Sequence, residues 1–151
     1  MDIQIESEKA TMALGEKIAS LLNGGEVLEL VGDVGAGKTF LTKSIARGLG
    51  ITEDVQSPTF TISRLYDTPR GLQLAHYDFY RLYDAGIMAL ELTETLSEPK
   101  TVTVLEWSEV VAGVLPKDRL TITFSPVAET SRRLHLVAGG PKSQALVEQL
   151  V

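Results

Sequence analysis

Apolar positions along the chain switch between two periods. Residues 8–22, EKATMALGEKIASLL, bring Leu14, Ile18, Leu21 and Leu22 round at helical spacing, with Ser7 as a cap and Gly24–Gly25 as a stop. EVLELV (26–31) is a compact apolar run, as in a buried strand, and TFLTKSIARGLG (39–50) returns to helical spacing before ending in glycine. TFTISRLY (59–66) and LQLAHY (72–77) read as strands. DTPRG (67–71) between them carries Pro and Gly turn chemistry, which predicts an antiparallel pair. AGIMALELTETL (85–96) has helical character and is closed by Pro99; TVTVLEW (101–107) is a strand rich in β-branched residues. RLTITF (119–124) and RRLHLVA (132–138) alternate like half-exposed strands, and KSQALVEQLV (142–151) predicts a closing helix. The order predicts an α/β fold, a mixed sheet with an antiparallel pair flanked by helices, in a single domain over 1–151.

Composition narrows the function classes. At 151 residues the chain is long enough to bury roughly 70% of its unfolded surface, and 44% hydrophobic content argues against disorder. No apolar run approaches the roughly 20 residues that span a bilayer, and MDIQIESEKA lacks the basic start and apolar stretch of a signal peptide. The absence of cysteine excludes disulfides and thiolate metal sites and fits a cytoplasmic location. A net charge of −6 speaks against a direct grip on nucleic acid, so any role around RNA runs through a partner.

The chemistry begins at GDVGAGKT (32–39), which fits G-x-x-x-x-G-K-[ST] and lies between a predicted strand and a predicted helix. In such a loop, the phosphate loop of the P-loop NTPases, glycines let successive backbone N–H groups converge on phosphate oxygens, and the helix N-terminus favours an anion. Asp33, Val34, Gly35, Ala36, Gly37, Lys38, Thr39 and Phe40 are the predicted ATP-binding residues. Lys38 reaches the β- and γ-phosphates and the Thr39 hydroxyl coordinates Mg²⁺. A phosphate loop also needs a carboxylate near the metal and a group that orients the attacking water, usually at neighbouring strand ends. Asp78 follows LQLAHY and Glu106 follows TVTVL. Asp78 is assigned to Mg²⁺, directly or through water, and Glu106 to the water; the sequence gives position and not distance, so the roles are exchangeable and both belong with Thr39 in the metal set. A structural pairing of either with Arg64 or Arg81 is the competing reading.

In QSPTFTI (56–62), Pro58 enforces extended backbone and Thr59 offers a hydroxyl at a loop-to-strand boundary, where a switch segment closes on nucleotide or where a strand simply starts. Trp107, the single tryptophan, suits core or interface mass. Arg81, Arg132 and Arg133 are candidate phosphate contacts, while His76 and His135 lack metal-ligand spacing and read as structural.

GDVGAGKT, SPTFTI, HYDFYRL (76–82) and LEW (105–107) occur in the order and approximate spacing of one family. The chain resembles TsaE, the small bacterial phosphate-loop ATPases of the threonylcarbamoyladenosine tRNA-modification pathway. The resemblance implies a mixed sheet with an antiparallel pair after the first helix, weak ATP hydrolysis by the isolated protein, and work with TsaB and TsaD, which transfer the threonylcarbamoyl group to an adenosine beside the anticodon. It puts Asp78 by Mg²⁺ and marks Tyr80, Arg81 and Trp107 as partner or nucleotide contacts. Three departures stand out. Phe40 replaces a frequent second threonine, Ser108 replaces a frequent proline and loosens the turn after Trp107, and residues 83–100 match the family's helical insert loosely.

A GTPase would need an N-K-x-D base-reading motif, and the only asparagine is Asn23, ahead of the loop. A small-molecule kinase would add an arginine-rich lid, for which only Arg132–Arg133 offers a basic pair. An ATP-gated binding switch with slow hydrolysis is the non-enzymatic alternative.

Overall fold

The computed structural model describes residues 1–56 and 62–150. Seven strands, β1 (Asp2–Ile5), β2 (Val27–Val31), β3 (Ser63–Asp67), β4 (Gln73–Asp78), β5 (Thr101–Glu106), β6 (Leu120–Pro126) and β7 (Arg132–Ala138), form one sheet in the order β1-β7-β6-β2-β5-β4-β3. Strands β6, β2, β5 and β4 run parallel to one another, and β3–β4, β6–β7 and β7–β1 are antiparallel. The sheet is therefore mixed, as expected, but with three antiparallel pairs instead of one. The predicted pair, β3–β4, follows the second helix, not the first.

Burial explains the sequence patterns. All six residues of β5 are buried because strands flank it on both sides and helices cover both faces. In β6 and β7 burial alternates, since only one face is covered. Helices α1 (Glu8–Leu21), α2 (Lys38–Gly48) and α4 (Pro141–Leu150) pack on the face presenting Leu28, Leu30, Val102, Val104 and Ile122. The opposite face, with Ala75, Tyr77 and Leu105, is covered by α3 (Gly86–Leu96) through Leu92 and by a 3₁₀ segment (Ser108–Val114) through Val111. Ser7 caps α1 as predicted, its Oγ accepting from the Ala10 N–H at 3.1 Å.

Helices α1 and α2 meet at two glycines. A Cβ on Gly15 would lie 2.3 Å from the Ser44 Cβ, and one on Gly48 2.6 Å from the Ala19 Cβ. The phosphate-loop helix is thus locked to its neighbour at a distance that no side chain at those positions permits.

Beyond shifts of one or two residues at several element ends, the structure departs from the sequence reading at three places. Residues 2–5 form a strand that four residues of pattern do not announce. The strand over 101–107 stops at Glu106, because Trp107 turns to φ 56°. The described part of the 59–66 strand starts at Ser63, because Ile62 has φ 66°. Among the described residues, no helix is long and apolar enough to cross a membrane.

Candidate functional site

Three strand ends define the site. Parallel pairing of β2, β5 and β4 aligns their C-terminal ends, with Leu30 opposite Glu106 and Glu106 opposite Asp78. The chain leaves β2 into GDVGAGKT, where Gly35 (φ 81°) and Gly37 (φ 107°) adopt left-handed backbone that a side chain would strain. Gly37 also caps α2, so the helix opens at Lys38 with its N-terminal amides facing the cleft.

The cleft has a volume of about 480 Å³ and is lined by residues of the loop, of β4 and the turn after it, and of the β5 end. Among the predicted site residues it gathers Val34, Gly35, Gly37, Lys38, Thr39, Phe40, Asp78, Tyr80, Arg81, Glu106 and Trp107, with Ile62 and Leu82 added. Asp33 lies outside on the exposed shoulder of the loop, and Ala36 is buried behind it. Thr59 falls outside the described residues.

Glu106 is the deepest carboxylate, only 2% exposed. Its Oε1 accepts a long hydrogen bond from the Thr39 hydroxyl at 3.5 Å, and its Oε2 lies 2.7 Å from His76 Nε2. Among the described residues its close basic partner is therefore His76, neither Arg64 nor Arg81. Asp78 is half-buried at the rim, where Oδ1 accepts from the Tyr80 N–H at 3.0 Å. Tyr80 in turn leans on Trp107, ring centroids 4.8 Å apart.

Lys38 lies folded back. Its Nζ donates to the Gly32 carbonyl at 2.5 Å and sits 3.8 Å from the centroid of the Trp107 ring. Burial pulls its ammonium below the usual lysine range, against the opposing pull of Glu106, Asp78, Glu109 and Asp33. Trp107 is thus more than interface mass, since its face holds the cation of the loop. Its left-handed turn is anchored by the next residue. Ser108 Oγ donates to Glu29 Oε2 at 2.5 Å, and Glu29 Oε1 accepts from Arg119 Nε at 2.9 Å and from the Thr121 hydroxyl at 3.0 Å. Ser108 does not loosen the turn where a proline is frequent; it ties the turn to β2 and β6.

The residues fit Mg²⁺ in one particular way. The oxygen donors of Thr39, Glu106 and Asp78 suit a hard cation. No cluster of three or more His, Cys, Asp or Glu among the described residues could hold a metal alone. Such a set completes its coordination with phosphate oxygens and water, as magnesium sites of nucleotide enzymes do.

A second cavity of about 440 Å³ lies against the same loop, and Gly35, Gly37 and Phe40 line both. Its apolar part comes from Ile5, Phe124 and Leu134, and its rim carries Ser7, Thr11 and Arg132. The Arg132 guanidinium is engaged by the Ala128, Glu129 and Ser131 carbonyls, so of the predicted basic pair it is Arg132 that borders this cavity, and Arg133 lines neither. Sequence reasoning missed this cavity because it joins the glycine loop to the start of α1, to β1 and to the β6–β7 hairpin, which share no motif.

Comparison with known proteins agrees with the architecture. A family model described as threonylcarbamoyl adenosine biosynthesis protein TsaE matches residues 5–134. The tRNA threonylcarbamoyladenosine biosynthesis protein TsaE of Bacillus subtilis is 39% identical over 140 residues, which cover 93% of this chain and 87% of the relative. Its namesake in Treponema pallidum is 36% identical over 134 residues, covering 85% and 93%. The crystal structure of Bacillus subtilis YdiB superposes with a TM-score of 0.81, spanning 99% of this chain and 93% of that one at 32% identity.

Proposed function

The chain belongs to the TsaE family, which takes part in the biosynthesis of threonylcarbamoyladenosine in tRNA, and from that premise we propose that its cleft binds ATP with Mg²⁺ and hydrolyses it in support of TsaB–TsaD. The observation that carries this reading is the meeting of Thr39 with Glu106, 67 residues apart in sequence, at 3.5 Å. A phosphate loop that merely turned a corner would need no carboxylate against its metal-ligand hydroxyl.

The triphosphate lies along the loop amides, and Lys38 exchanges the Gly32 carbonyl for phosphate oxygens. The second cavity, bordered by Phe40, Phe124 and Thr11, would take the nucleoside. Thr39 and Glu106 would hold Mg²⁺, and Asp78, at the rim, would orient the attacking water; the Thr39–Glu106 contact favours this exchange of the two carboxylate roles. Bound Mg²⁺ supplies neutralisation of charge on the β- and γ-phosphate oxygens. Water oxygen attacks the γ-phosphorus, the bond to the β–γ bridging oxygen breaks, and ADP and inorganic phosphate leave. The acidic surface, net −6, fits a protein that reaches tRNA through its partners.

A second reading is an ATP-gated binding switch, in which Lys38 exchanges the Gly32 carbonyl and the Trp107 face for phosphate oxygens on binding. Steady-state ATP hydrolysis, alone and with TsaB–TsaD, separates the two. The expected result is slow turnover raised by the pair, abolished in Asp78→Ala with Mg·ATP binding retained. Full support of threonylcarbamoyl transfer by Asp78→Ala over many turnovers would favour the switch. No binding of ATP at all would refute both.

A further inference from the structure

The face of β4 toward α2 carries Leu74, then His76, then Asp78 at the rim, so His76 is the polar residue in its buried part. Leu74 and His76 alternate onto that face, and both are fully buried. A leucine would fill this slot without a polar atom to satisfy, whereas a buried imidazole needs a partner. Its partner is the acidic end of the next strand. In the β4–β5 register His76 lies opposite Val104 and Asp78 opposite Glu106, so His76 is the diagonal neighbour of Glu106, one step below the floor of the cleft.

We propose that His76 is a positioning residue for Glu106, fixing one carboxylate oxygen from beneath so that the other faces Thr39 and the metal site. The geometry divides the two oxygens cleanly: Oε2 is 2.7 Å from His76 Nε2, and Oε1 is within 3.5 Å of the Thr39 hydroxyl. A carboxylate oxygen accepts, so Nε2 carries the hydrogen. The far nitrogen, Nδ1, is buried and meets no hydrogen-bond partner among the described residues. The ring is therefore turned wholly toward Glu106. Carboxylates that hold metals are commonly oriented by such outer contacts, and losing one weakens metal binding or activity. This inference rests on the reading of Glu106 as a metal-site residue.

The test compares wild type with His76→Asn, His76→Gln and Glu106→Ala. A glutamine amide reaches as far as Nε2 and preserves the donor; an asparagine amide stops near Nδ1 and loses it. Mg²⁺ is titrated into each protein with ADP bound, followed by Trp107 fluorescence, and ATPase rates are measured alongside. For His76→Asn the Mg²⁺ midpoint should rise, and kcat fall, by roughly 10–100-fold, with His76→Gln recovering most of the loss. The KM for ATP should move far less than kcat. A lowered melting temperature in His76→Asn with an unchanged Mg²⁺ midpoint and kcat would make the histidine merely structural and overturn the proposal. An unchanged Mg²⁺ midpoint in Glu106→Ala would instead refute the underlying assignment. Should His76→Asn not fold, nitrogen-15 NMR of the wild-type imidazoles decides. The chain has 2 histidines, told apart with His135→Gln, and His76 must show hydrogen on Nε2. A ring with hydrogen on Nδ1 alone overturns the proposal.

Discussion

The anchor beneath the Trp107 turn gives a prediction whose sign and size follow from the structure. Glu29→Gln keeps the shape and one acceptor oxygen but removes the charge that faces Arg119 at 2.9 Å, Ser108 at 2.5 Å and Thr121 at 3.0 Å. The site is largely sheltered, with the Glu29 side chain 13% and the Arg119 side chain 29% exposed. A hydrogen-bonded charge in such a place contributes about 2 kcal/mol, more than an exposed ion pair and less than a fully buried one. For a domain of this length that corresponds to a fall in Tm of roughly 4–8 °C at pH 7. The effect must depend on pH. Burial pushes the Glu29 carboxyl up, but hydrogen bonds from Ser108, Arg119 and Thr121 outweigh it and hold the group below its ordinary 4.5. A carboxyl lowered by folding contributes stability that is complete above the unfolded value and lost as pH falls through the folded one. Thermal melts of wild type and Glu29→Gln, followed by circular dichroism from pH 7 down to acid, should therefore converge below 4.5. Equal melting temperatures at pH 7, or a gap that widens on acidification, would refute the reasoning.

Two more expectations concern the loop and its support. Gly15→Ala improves helix propensity by about 1 kcal/mol in isolation, yet its Cβ would meet Ser44 Cβ at 2.3 Å. Overpacking of roughly 1–3 kcal/mol should win and lower the Tm, and an unchanged or raised Tm would show that the helix crossing relaxes freely. ATP binding should change Trp107 emission as the Lys38 ammonium leaves its position 3.8 Å from the ring centroid. Lys38→Met should remove that change, and an emission unaltered by saturating ATP in wild type would contradict the exchange of partners.

What the sequence discloses depends on how locally each feature is encoded. The phosphate loop is legible because its glycines, lysine and threonine are contiguous. Asp78 and Glu106 are legible as polar residues closing apolar strands. The His76–Glu106 contact is not, because it needs the knowledge that β4 and β5 are parallel neighbours in one particular register. The 3₁₀ segment hides in SEVVAGV, whose valines suggest a strand, and β1 is too short for its alternation to be distinguished from chance. Ser108, a departure from the family pattern, has meaning only once Glu29 on β2 is seen to receive it.

The clasp of α1 on α2 through Gly15 and Gly48 has a mechanical consequence. It makes the loop side of the cleft a fixed jaw, bolted to the main core. Whatever closes on a nucleotide has to come from the facing jaw. There Ile62 and Trp107 hold left-handed backbone, and Tyr80 and Arg81 lie in a turn outside the sheet. That jaw stands on α3 and the 3₁₀ segment, where Ile87 and Leu90 of α3, and Tyr83 of the loop before it, leave apolar surface open. A push on that outer surface would reach the rim of the cleft before it reached the glycine loop at the end of β2.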